Sequence, residues 1–153
     1  MPYDRVIIVF TPYGRLLQVE YAMEVVKRGS TIMGLTSSAG VILAADARIF
    51  SKLQNQNFVW KIFKIDENVG AAVSGLSSDA QTLVEQARLY SQSNRLMYDE
   101  AVDIKVLSER IADMQQLYTQ RSWIRPFGVS IIFGGVDNTG PKVFKTDPSG
   151  AYR

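Results

Sequence analysis

The sequence predicts an α+β fold built on antiparallel sheets. Three observations carry this reading: extended runs come in two groups, two consecutive helical patterns separate the groups, and short polar turns join successive runs at 37–40, 67–68 and 137–141. Strands gathered in runs and helices gathered in runs point to α+β, whereas strict alternation would point to a parallel sheet.

The first segment is an extended run, Val6-Ile7-Ile8-Val9-Phe10, closed by a turn with Pro12 and Gly14. A helix over about 16–28 follows, because Leu16, Val19, Met23 and Val26 recur on one face. Lys27 and Arg28 fall in its last turn, where cations suit the dipole, and Gly29 is a natural stop. The period then becomes extended. Thr31-Ile32-Met33-Gly34-Leu35-Thr36 and Val41-Ile42-Leu43-Ala44-Ala45 flank the turn at 37–40 and predict a β-hairpin. The second of these strands is almost continuously apolar, which predicts cover on both faces.

A polar connection at 51–57 leads to two more strands, 60–66 and 69–74, on either side of Glu67-Asn68. Ser78-Asp79-Ala80-Gln81 has capping-box spacing, and Ala80, Leu83, Val84, Ala87 and Tyr90 mark the buried side of the helix it starts. A second helix begins at Asp103 and carries Ile104, Leu107, Ile111, Met114 and Tyr118, a narrow seam that predicts packing on a neighbouring helix. Strands at 127–133 and 142–147 flank the turn Asp137-Asn138-Thr139-Gly140-Pro141, and Ala151-Tyr152-Arg153 starts a further strand.

Composition narrows the chemistry. A length of 153 residues fits one domain, and 46% apolar with 21% charged content is ordinary for a globular protein. A net charge of +2, with no basic run, argues against nucleic acid and anionic membrane as partners. No run of about 18 apolar residues occurs, and Met1-Pro2-Tyr3-Asp4 lacks the order of a secretory signal, so a cytoplasmic location is expected. The absence of Cys and His removes disulfides, Cys nucleophiles, Ser-His triads and the common zinc sites, and no cofactor or metal is expected.

The wording of the first residues is more specific than their pattern. Tyr3-Asp4-Arg5, then Thr11-Pro12-x-Gly14-Arg15-Leu16-x-Gln18-Val19-Glu20-Tyr21-Ala22, resembles the N-terminal signature of proteasome core-particle α-type subunits of archaeal-like type. Tyr13 stands where that family generally has Asp, and Leu17 where it generally has an aromatic. Ala45-Asp46-x-Arg48, Lys61-Ile62-x-Lys64-Ile65-Asp66, Ser74-Gly75-Leu76-x-x-Asp79-Ala80, Arg125-Pro126-Phe127-Gly128-Val129-Ser130 and Thr146-Asp147-Pro148-Ser149-Gly150 follow in family order and spacing.

The resemblance implies the sandwich of the N-terminal-nucleophile hydrolases, two antiparallel sheets face to face with outer helices. Family chains continue beyond this length, so it implies a sandwich incomplete at the C-terminus, lacking roughly the last third, with apolar sheet face and strand edges exposed. Residues 1–29 would form a gating arm and assembly helix, and 30–153 a partial αββα domain.

The implied function is that of a non-catalytic member of the outer proteasome ring, gating substrate passage and docking activators. Its partners would be other α-type subunits, catalytic β-type subunits and the C-termini of ATPase activators. In the catalytic sister subunits an N-terminal Thr attacks with its own amine as base, beside a Lys and an Asp. Alignment puts Ser30 at that position, next to Thr31, with Asp46 and Lys61 at the Asp and Lys. A hydroxyl inside a chain has no such amine, and no catalytic residue is expected. By the same resemblance Tyr3, Asp4, Arg5, Pro12 and Tyr21 would hold the arms across the pore or folded away, and Lys61, Glu20 and Gly75 would receive an activator's terminal carboxylate. Met23 occupies a position where many archaeal relatives carry Arg. Two alternatives stay open: a self-processing hydrolase cleaved between Gly29 and Ser30, and a truncated regulatory or decoy chain that affects ring assembly.

Overall fold

The computed structural model describes residues 9–46 and 60–153. Helix α1 (Leu17–Lys27) is followed by a hairpin of β1 (Ile32–Ser37) and β2 (Gly40–Ala45). Next come β3 (Ile62–Asp66), β4 (Val69–Gly75), α2 (Ser77–Tyr98), α3 (Ile104–Gln120), β5 (Val129–Asp137) and β6 (Gly140–Thr146). The hairpin is one sheet, and β3-β4-β5-β6 in that order form a second, fully antiparallel one. Two antiparallel sheets with flanking helices are the architecture expected.

The four-stranded sheet has two packed faces. Val69, Ala71 and Val73 of β4 and Val129, Ile131 and Phe133 of β5 meet Leu83, Val84 and Ala87 of α2 and Leu107 and Ile111 of α3. Alternation sends the intervening residues to the other face, where the hairpin lies. The two sheets approach closely there because the contact is built on glycine. A Cβ on Gly134 would stand 2.9 Å from both Leu43 and Val41, and one on Gly34 would stand 2.8 Å from Ile132.

Helix α1 begins at Leu17 rather than Leu16, since Leu16 is extended and Thr11 closes the preceding turn through Arg15 and Gly14. Its buried stripe is centred on Val19 and Ala22, with Leu16, Met23 and Val26 half-buried beside it. Helix α3 buries the predicted seam from Ile104 to Ile111 and is capped by Asp103, whose carboxylate accepts from the N–H groups of Lys105 and Val106. Lys142 bridges Asp103 and Asp137, tying that cap to the β5–β6 turn. Burial pushes the Asp137 carboxyl up, but hydrogen bonds from Lys142, Thr139 and the Ile104 N–H outweigh it and bring the group down to about 2. The last residues do begin a strand: Lys145 and Arg153 exchange backbone hydrogen bonds at 2.7 and 3.0 Å.

Two expectations fail. The capping box at Ser78 does not form, because α2 starts at Ser77 with Leu76 as its uncapped N-terminal flank. The first turn is held from outside instead. Leu76 donates its N–H to the Gly128 carbonyl, and the Asp79 carboxylate is taken by Arg125 at 2.6 and 2.7 Å and by the Gly128 N–H at 2.9 Å. The second failure is β2, expected to be covered on both faces. Only its inner face meets the larger sheet, and Ile42 (63% exposed) looks outward with Leu35 (54%) and Met33 (50%). Among the described residues nothing covers that side.

The Asp79 clamp gives a test with a defined sign. Burial raises the Asp79 carboxyl, yet the hydrogen bonds from Arg125 and Gly128, with the guanidinium charge, hold it below the ordinary carboxylate range. A carboxyl depressed on folding adds stability above its unfolded pKa and loses it as pH falls through the folded value. Arg125→Ala is expected to lower the unfolding free energy by about 1–3 kcal/mol at neutral pH, because a buried acceptor loses its main donor. Urea melts should show the gap to the unsubstituted chain narrowing below about pH 4. A gap that stays constant across that range would mean the clamp is not the source.

Candidate functional site

The residues singled out by sequence fall on three places. Pro12 is exposed in the turn before α1, and Tyr21 is 48% exposed on the helix itself. Glu20, in the first turn of α1, is gripped by Arg15, whose Nε donates to both carboxylate oxygens at 2.8 and 3.0 Å. That hydrogen bond lowers the Glu20 carboxyl against the opposing effect of desolvation and raises the Arg15 guanidinium in return. Tyr3, Asp4 and Arg5, the remainder of the expected gating set, lie outside the described residues.

Lys61 precedes β3 and is fixed through its backbone, its carbonyl accepting from the Val73 N–H at 2.9 Å. Its side chain is half-buried, and no ion pair engages it among the described residues. Gly75 ends β4, paired in register with Val129. Within one chain no hydrogen bond or ion pair among the described residues joins Lys61, Glu20 and Gly75. Glu20 is committed to Arg15, and Gly75 offers only backbone.

The structure does join Tyr21 to the loop beyond Gly75. A cleft of about 240 Å³ runs between α1 and the 125–128 segment, lined by Gln18, Tyr21, Val25, Leu76, Arg125 and Pro126. Val25 and Leu76, at 42% and 41% exposure, give it an apolar rim that the sequence pattern does not reveal. The apolar stripe points to Val19 and Met23 instead, which face inward. Nor does the sequence pair Arg125 with Asp79, since they meet only through the fold and lie outside any local spacing rule.

The residues aligned with a catalytic nucleophile sit at the start of β1. Ser30 is peptide-linked to Gly29, and its carbonyl accepts from Ser74 Oγ at 2.7 Å. The Asp46 N–H donates to the Thr31 carbonyl at 2.8 Å, which closes the far end of the hairpin. No group of three or more acidic or other ligating side chains that could hold a metal ion is present among the described residues, and no described helix is long and apolar enough to cross a membrane.

Two family models match the two parts of the chain in sequence, one over the leading helix and one over the sheets behind it. Residues 26–153 match the family model described as proteasome subunit, and residues 3–24 match the N-terminal signature of A-type proteasome subunits. The proteasome alpha subunit of Archaeoglobus fulgidus is 54% identical over 151 residues, covering 99% of this chain and 61% of the relative. That of Methanothermobacter thermautotrophicus is 52% identical over 149 residues, 97% of this chain and 60% of the relative. That of Methanosarcina acetivorans is 51% identical over 151 residues, again 99% of this chain and 61% of the relative. The chain thus spans about three fifths of the length of these relatives.

Gly75 carries a prediction that separates structure from docking. Its φ of +117° disfavours any other residue, and a Cβ there would stand 2.2 Å from the Gly128 carbonyl oxygen. Gly75→Ala is expected to cost about 1–3 kcal/mol in a denaturant melt, from backbone strain and overpacking. A substituted chain as stable as the original would leave a ligand-facing role as the reason for glycine.

Proposed function

The chain belongs to the proteasome subunit family, in its α type, and from that premise we propose that it acts as a non-catalytic member of the outer ring of the core particle. In this reading it packs beside other α-type subunits, stacks on catalytic β-type subunits, gates the pore with its N-terminal arm and docks activators. The observation that carries the proposal is the match of residues 3–24 to the α-type signature, followed by a folded α1 with Val19 and Ala22 buried in the chain's own core. A chain that matured by cleavage at Ser30 would discard that helix.

Physical chemistry supports the non-catalytic part. Ser30 is amide-linked at its nitrogen, so it has no α-amine to take the proton from its hydroxyl. Without that base it is a weak nucleophile.

The ring-forming part rests on the outward side of α1. Tyr21 and Val25 expose apolar surface on a helix whose other side is already satisfied, and the cleft toward Leu76 and Pro126 continues that surface. Val25→Asp tests the claim better than a change at Val19, which would break the core. Circular dichroism should show the variant folded, while native mass spectrometry should show its higher oligomers gone. Oligomers that persist would sink the assembly reading.

Docking rests on Lys61. A half-buried ammonium with no ion-pair partner among the described residues is suited to a carboxylate delivered by another polypeptide. Losing one partner of a desolvated pair costs about 2–5 kcal/mol, so Lys61→Ala should weaken binding of an activator C-terminal peptide by more than about tenfold. Assembly should be unaffected. Equal affinity of the unsubstituted chain for an amidated peptide would remove the carboxylate from the account.

A further inference from the structure

At one end of the space between the two sheets lies a cavity of about 320 Å³ that neither docking nor gating uses. Ser74 and Ser130 stand opposite each other in the β4–β5 register, and Lys145 stands opposite Ile132 in the β5–β6 register. Ile132 reaches toward Gly34 of the hairpin, so alternation places Ser130 and Lys145 on that same inner face. Ser30, Thr31 and Ile32 form the opposite wall.

The polar groups here do not balance one another. Ser74 spends its proton on the Ser30 carbonyl. The Ser30 hydroxyl oxygen is buried and has no hydrogen-bond partner among the described residues. Ser130 is 2% exposed and lines the same cavity. Lys145 makes no ion pair among the described residues, while Lys27, the other cation on the rim, is already bound to Glu24. No acidic side chain among the described residues lines the cavity. A buried hydroxyl without a partner is rare in folded proteins and calls for a water, an ion or a ligand. Water alone would satisfy the hydroxyls but would bring no negative charge to the ammonium. An acceptor-rich anion satisfies both.

We propose that this cavity binds a small oxyanion, with Lys145 supplying the charge and the hydroxyls of Ser30 and Ser130 supplying hydrogen bonds. Its volume lies at the lower end for ligand pockets, which suits a phosphate or a carboxylate group. No covalent step is involved, so the site is compatible with a non-catalytic Ser30. Lys145 belongs to none of the family-like phrases, and no local pattern marks it.

Isothermal titration of the full chain at low ionic strength tests the proposal, with inorganic phosphate in one arm and acetate in the other. Saturable binding is expected in at least one arm, and the tighter of the two identifies the group carried by the natural ligand. Lys145→Gln and Ser130→Ala should each weaken it more than about tenfold, while Lys145→Arg, which keeps the charge, should retain it. Lys105→Ala removes the same charge from an exposed helix position paired with Glu109 and should change nothing. Melts of each variant establish that it is folded before it is titrated. Absence of saturable binding in both arms overturns the proposal. So does equal weakening by Lys105→Ala, which would reduce the effect to overall charge, and so does unchanged binding in Ser130→Ala together with Lys145→Gln.

Discussion

Four backbone segments converge on Gly128, and the rest of the fold is hung from that convergence. The end of α1 packs against the end of β4, where a Cβ on Gly29 would stand 2.6 Å from the Gly75 nitrogen. The end of β4 in turn presses on the Gly128 carbonyl, which accepts from the Leu76 N–H. The Gly128 N–H is bound by Asp79, and Asp79 by Arg125. Such close approach leaves no room for side chains, so the polar backbone groups satisfy each other and one buried carboxylate completes the set. The angle at which α1 leaves the domain, and with it the direction in which Tyr21 and Val25 face, follows from this junction.

Much of the architecture is legible because its signals are local. Period-two runs with polar turns between them mark each hairpin, and the spacing from Ile104 to Ile111 marks the buried side of α3. The start of α2 escapes such signals for a physical reason: Ser78 and Gln81 offer a local cap, but a tertiary partner for Asp79 wins. The outward face of β2 escapes them because an apolar run cannot say how many layers cover it.

The candidate site is legible mainly through wording. Lys61, Glu20 and Gly75 have no shared spacing rule, and in one chain no hydrogen bond or ion pair among the described residues joins them. Their physical logic differs residue by residue. Gly75 is required by the backbone at Gly128, Glu20 is engaged by Arg15, and Lys61 is partly buried with no ion pair among the described residues. A single sequence cannot distinguish these cases, since the constraint on Gly75 and Lys61 comes from neighbours far along the chain.

The register of the larger sheet has a kinetic side. Within it, β3 with β4 and β5 with β6 are joined by short turns and can zip locally. The pairing of β4 with β5 is different, because the whole of α2 and α3 lies between Gly75 and Val129. Its loop-closure entropy falls due before any of its contacts form. Two hairpins and a helix pair are thus the natural early pieces, and the central β4–β5 seam joins them late. Until that seam closes, two hydrophobic strand edges stand open to any other chain being made nearby, which makes crowded synthesis the most hazardous moment in this protein's life.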